Sequence, residues 1–196
     1  MVINMYLYHY FEKKRGPFLC LSALPDDEVQ KLLESYREVD KSNGKKTVVG
    51  SVYDDEYMKI RRRQEYMTRT TFIEKGDKPV RQAPFYMMLR DSDVYEDGIL
   101  DWYSETDCIK IPVEEFNMDT VSFTYGDQCQ TCNPARYEEF LTGKFRPNIF
   151  TFKEIVEVIN ERGWIPFVGT SDWSKPWYIE AQVWSDDEFI NKYRNL

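Results

Sequence analysis

The chain contains a single histidine, His9, and this bounds its chemistry. A metal site with two imidazole ligands is impossible within one chain, and any catalytic scheme that needs a histidine must use this one. His9 lies in Tyr8-His9-Tyr10, an aromatic run close to the start. Its simplest role is that of a hydrogen-bonded, partly buried strand histidine. The alternative is a site residue.

Cys129-Gln-Thr-Cys132 is a second constellation. At a helix N-terminus the first thiol would ionise more readily and support thiol–disulfide exchange. With Cys20 and Cys108 the pair could instead complete a four-cysteine zinc site, but no second C-x-x-C knuckle accompanies it. No spare histidine is present, and no basic residue lies between Gly126 and Ala135 to hold a thiolate. The expectation is two free thiols and no metal.

Lys59, Arg61, Arg62, Arg63 and Arg69 form a basic run. Arg62, Glu65 and Arg69 share one face at helical spacing, which suits a salt-bridged, solvated surface. Arg62 is also a candidate phosphate clamp, because guanidinium groups bind phosphates bidentately. Trp164, Trp173 and Trp177 fall within one Pro- and Gly-containing loop. They suit a lid, a protein-binding surface, or a loop pinned by its own rings. No phosphate-binding loop, dinucleotide fingerprint, nucleophile elbow or H-E-x-x-H helix is present.

The elements that must position these residues follow from periodicity. Tyr6 to Phe11 reads as a buried strand. Pro25 opens a helix with Asp26, Asp27 and Glu28 in its first turn, where they complement the helix dipole. A longer helix is predicted from about residue 54 to 75, with Gly76 just past its end. Residues 85–89 and 108–113 read as strands. In residues 120–125, Val121, Phe123 and Tyr125 alternate with Ser122 and Thr124. A capping box, Thr151 with Glu154, begins a helix that stops at Gly163. Residues 177–184 form a further strand, and Ser185 to Glu188 start a last short helix. The order β-α-α-β-β-β-α-β-α lacks a regular βαβ alternation. It predicts a single α+β domain with a mixed or mainly antiparallel sheet and packed helices.

Composition narrows the class. A chain of 196 residues with 42% hydrophobic and 16% aromatic content can bury one sizeable core, and no linker divides it. A net charge of −8 disfavours nucleic acid and anionic membranes as partners. Residues 1–7 lack a basic start and a long apolar run, so no secretory leader is expected. Reduced cysteines in a cytoplasmic setting are the corresponding expectation.

Tyr8-His9-Tyr10 in a first strand, Ser122-Phe-Thr-Tyr125 in a middle strand and Tyr178-Ile-Glu180-Ala-Gln-Val-Trp184 in a late strand resemble diphtheria-toxin-like ADP-ribosyltransferases. The resemblance implies NAD as substrate. It implies that His9 orients NAD, that Tyr10 or Tyr125 stacks on nicotinamide, and that Glu180 stabilises the oxocarbenium-like transition state. Arg62 would serve the pyrophosphate. His9 and Glu180 are then expected on neighbouring strands, within about 10 Å of each other, at one cleft, and a placement on opposite faces of the sheet would rule the pair out. The whole chain also resembles small uncharacterised bacterial proteins sharing Tyr-Leu-Tyr-His-Tyr, Ser-Phe-Thr-Tyr-Gly-Asp and Tyr-Ile-Glu-Ala-Gln-Val-Trp segments, which implies no activity. The non-enzymatic alternative is a small interaction or regulatory protein that binds a protein partner through its aromatic surface. The lesser alternative is the C-x-x-C oxidoreductase.

Overall fold

The computed structural model describes residues 5–43, 57–91, 106–126, 148–165 and 178–194. In chain order they form β1 (Met5–Glu12), α1 (Asp26–Asn43), α2 (Tyr57–Glu74), β2 (Phe85–Asp91), β3 (Thr106–Pro112) and β4 (Val121–Tyr125). Then come α3 (Phe152–Arg162), β5 (Ile179–Val183) and α4 (Asp187–Arg194). The described elements follow the order that the hydrophobic periodicity predicts.

Local chemistry sets several boundaries. Thr151 accepts a hydrogen bond from the Glu154 amide (3.3 Å), and Glu154 accepts one from the Thr151 amide (2.8 Å). This capping box starts α3, and Gly163 ends it with φ 84°, a conformation that glycine adopts without steric cost. At α4 the cap differs from expectation. Asp186, not Ser185, accepts from the Phe189 amide (2.8 Å). The Ser185 hydroxyl is instead engaged by that of Thr120 (2.8 Å).

The five strands form one sheet in the order β3-β1-β2-β5-β4, and all four pairings are antiparallel. This is an α+β fold. The register aligns Leu7 with Leu89 and Leu89 with Ile179, so it fixes which side chains share a face. One face carries Leu7, Met87, Leu89, Phe123 and Ala181, and it packs on Ile155 and Ile159 of α3 and Ile190 of α4. Full burial of each large apolar side chain here contributes about 1.5–3 kcal/mol.

The opposite face carries Tyr8, Tyr86, Arg90, Ser122, Glu180 and Gln182. An antiparallel sheet commonly leaves such a polar face in water. Here Ser122 and Gln182 are fully buried and Glu180 is 5% exposed. Helix α2 lies on part of this face. Its Glu65 meets Tyr86, and its Phe72 clusters with Trp184 and Ile149. Helix α1 packs on the start of α2 through Val29 and Leu33 against Tyr57 and Met58. Among the described residues no helix is long and apolar enough to cross a membrane.

Candidate functional site

A buried polar face must satisfy its own hydrogen bonds, and this one does so through a directed chain. The Trp184 indole Nε1 donates to Ser122 Oγ (2.9 Å), and Ser122 Oγ donates to Gln182 Oε1 (2.8 Å). Gln182 Nε2 donates to Glu180 Oε1 (2.8 Å) and more weakly to Thr124 Oγ1 (3.3 Å). Thr124 passes its own proton to the Gly126 carbonyl (2.8 Å). The Tyr178 hydroxyl stands 3.5 Å from Glu180 Oε2. Each amide and hydroxyl in the chain is therefore oriented by its neighbour, and the donors converge on one carboxylate. Alternation along two adjacent strands produces this arrangement. Ser122 and Thr124 of β4 lie directly opposite Gln182 and Glu180 of β5.

The same face extends toward β1. Glu180 lies opposite Met88, Met88 opposite Tyr8, and Tyr8 opposite Lys110, so one row crosses the sheet from carboxylate to ammonium. The Arg90 guanidinium sits 5.4 Å from the Tyr8 ring centre and 5.5 Å from that of Tyr10, within cation–π range. Lys110 Nζ is 4.0 Å from the centre of the Tyr6 ring. Tyr8 and Tyr10 stack with ring centres 6.5 Å apart.

A second polar cluster joins α2 to the sheet. Glu65 Oε1 accepts from Ser22 Oγ (2.9 Å), Arg61 Nε (3.0 Å) and Tyr86 hydroxyl (3.0 Å). Arg61 also donates to the Tyr57 hydroxyl (2.8 Å) and covers the Tyr86 ring. Tyr86 lies opposite Gln182, so the two polar clusters meet there. Cys20 is buried nearby. Burial first, and the Glu65 charge second, raise its thiol above the usual range, which makes it a poor nucleophile.

The structure separates the residues that the resemblance would bring together. His9 belongs to the face of Leu7, and its ring stacks on Phe18 in the apolar core (4.4 Å between centres). Glu180 belongs to the other face. Strand β2 lies between their strands, so they are not on neighbouring strands as expected, and they are on opposite faces of the sheet. The physical reason is parity. The register makes His9 and Ile179 equivalent in facing, one residue out of step with Glu180.

His9 is committed to backbone partners. Its Nδ1 donates to the Tyr86 carbonyl (3.0 Å), and its Nε2 accepts from the Phe18 amide (2.8 Å). Burial holds its pKa down to about 4. Tyr125 lies on His9's face, but on β4 at the far edge, and it donates to the Gly163 carbonyl (2.9 Å). Arg62 binds Asp26 and the Leu24 carbonyl, tying α2 to the start of α1 rather than reaching the Glu180 face. Of the predicted site residues, Tyr10 alone shares a face with Glu180.

Sequence reasoning missed Gln182, Ser122, Arg90, Ser22 and Tyr86, and read Glu65 as part of a solvated face. The signal for Gln182 and Ser122 was their period-2 spacing beside Glu180 and Thr124. Arg69 donates to the Pro79 and Arg81 carbonyls (2.9 Å each) and so secures a loop. Cys129, Cys132, Trp173 and Trp177 lie outside the described residues. Among the described residues, no group of three or more His, Cys, Asp or Glu side chains is arranged to hold a metal ion. A groove of about 250 Å³ on the α3 side, lined by Lys75, Phe150, Glu154 and Glu157, is acidic and bridged by a Lys75–Glu154 ion pair.

Comparison with protein-family models, with curated proteins and with solved structures finds no match.

Proposed function

We propose that the protein is a cytoplasmic enzyme whose reactive group is the Glu180 carboxylate and whose substrate is NAD, in an arrangement that does without the His9–Glu180 pair. The substrate would lie on the sheet face that also carries Tyr8, Tyr10 and Arg90. The observation that carries this reading is the directed hydrogen-bond chain from Trp184 through Ser122 and Gln182 to Glu180. A buried carboxylate is costly unless donors hold it, and a fixed carboxylate stabilises positive charge that develops beside it. Cleavage of the nicotinamide–ribose bond develops such charge at the sugar: nicotinamide leaves with the bonding pair, and a nucleophile, water in the assay below, forms the new bond to the same carbon. In this scheme Tyr10 supplies a ring face, and the buried Arg90, held over the Tyr8 and Tyr10 rings, makes that side of the face electropositive toward an anionic substrate. His9 and Tyr125 lie on the other face of the sheet, and Arg62 ties α2 to the start of α1, so they take no part.

The test is calorimetric titration of NAD into the wild type, Glu180→Gln and Tyr10→Ala, alongside assay of nicotinamide release. Glu180→Gln preserves an acceptor for Gln182, so folding should persist. Affinity should stay within about threefold of wild type, while nicotinamide release falls at least about a hundredfold. Tyr10→Ala should weaken binding. Absence of saturable NAD binding by the wild type sinks the reading.

A further inference from the structure

Between β1 and the 3-10 turn at Leu21–Ala23, the chain turns back over the sheet. Arg15 and Gly16 close a tight turn on the Glu12 carbonyl (3.0 and 3.1 Å). Phe18 then enters the core, 2% exposed, with its ring edge-on to Phe85. Its backbone is left-handed at φ 61°, a region that costs a bulky L-residue roughly 1–2 kcal/mol. Something must hold it there. The Phe18 amide donates to His9 Nε2 (2.8 Å), and its carbonyl accepts from Arg194 of α4 (3.3 Å). The two rings lie parallel, 2° apart.

The imidazole is the pivot. Registered β1–β2 pairing runs from Met5 to Tyr8, and the next residue's side chain takes over the Tyr86 carbonyl. Donation there fixes the proton on Nδ1 and leaves Nε2 bare to receive the Phe18 amide. We propose that His9 and Phe18 form a latch that acid opens, releasing residues 16–19 from the sheet while the sheet itself stays folded. Adding a proton to Nε2 sets two N–H donors against each other at hydrogen-bond distance. It also leaves a cation between aromatic rings in an apolar core, and the opened chain can relax the left-handed residue.

The Tyr86 carbonyl that Nδ1 already meets favours the charged ring, but among the described residues the surroundings offer the cation no charged partner. His9 lies opposite Ile109 of β3. On that strand Asp107 is exposed and turned to the Cys108 amide, and Lys110 stands over Tyr6 on the other face. Strand β2 presents the Tyr86 carbonyl and Phe85, and Glu12 at the end of β1 pairs with Arg15 and Lys14. Helix α4 presents Arg194, a like charge. No charged side chain contributes to the depressed proton affinity of the ring, which comes from burial.

The latch is independent of the Glu180 reading, and its test needs no ligand. Amide hydrogen exchange of Phe18 is followed from pH 7.5 to 5 and corrected for intrinsic exchange, together with nitrogen chemical shifts of the lone imidazole. A folded-state pKa of about 4 against 6.5 when open implies that Phe18 opening rises about thirtyfold over that range. Amides of Leu7, Leu89 and Ala181 should keep their protection. The imidazole should show a protonated Nδ1 and a bare Nε2 at neutral pH. In His9→Gln, the residual protection of the Phe18 amide should no longer depend on pH. Three results overturn the proposal: unchanged Phe18 protection in the wild type, a ring that titrates near 6.5 with mixed tautomers, or loss of all amides together.

Discussion

Gln182→Met would remove the centre of the buried polar chain while keeping its volume. The site is fully buried, and methionine is flexible enough to fill it with little cavity cost. Three groups are affected. The Ser122 hydroxyl loses the acceptor for its proton, at about 1–3 kcal/mol for an unsatisfied buried donor. Glu180 loses its 2.8 Å donor, a loss of about 1.5–3 kcal/mol for a bond to a carboxylate. Thr124 keeps its bond to the Gly126 carbonyl and loses little. Greater apolar burial by methionine offsets about 1 kcal/mol, which leaves a net destabilisation of about 3 kcal/mol. Urea unfolding reads this as a lower midpoint at an unchanged slope. A second substitution, Glu180→Leu, removes the stranded acceptor. The double variant should therefore be less destabilised than the sum of the singles by about 1–2 kcal/mol. A loss below about 1 kcal/mol for Gln182→Met, or strict additivity, would refute the reasoning that these side chains form one network.

Two other outcomes follow from the observed partners of His9, Arg69 and Arg62. His9 has a folded-state pKa lowered to about 4, so between that value and 6.5 the unfolded chain binds more protons than the folded one. Its contribution is full above about 6.5 and is lost as pH falls toward 4, about 3 kcal/mol in all, and this part of the urea-midpoint profile should be absent in His9→Gln. Arg69→Met strands the Pro79 and Arg81 carbonyls and should cost about 1–2 kcal/mol, whereas Arg62→Met, which gives up an 82% exposed Asp26 partner and one longer bond to the Leu24 carbonyl (3.2 Å), should cost no more than about 1 kcal/mol. Equal losses for the two arginines in thermal or urea melts would contradict their assigned partners.

Much of the local structure was legible in the residues themselves. Pro25 with three following acids, the Thr151–Glu154 box and the glycines at 76 and 163 act within a few residues, so sequence contains their physics. The alternation of Val121, Phe123 and Tyr125 with Ser122 and Thr124 likewise named the two faces of β4. Which faces of different strands coincide is another matter. It depends on register, and register is set by long-range pairing: His9 and Glu180 are each plausible site residues until the Leu7–Leu89–Ile179 alignment turns them to opposite sides. Burial was equally beyond reach. Glu65 looks like a surface helix charge by spacing, yet it is 2% exposed because α2 lies across a polar sheet face and Ser22, Arg61 and Tyr86 converge on one of its oxygens. Sequence thus determined the elements, their caps and the polar character of the strand positions, all short-range properties. Tertiary structure alone decided which polar groups are taken out of water together, because that is fixed by contacts between segments far apart in the chain.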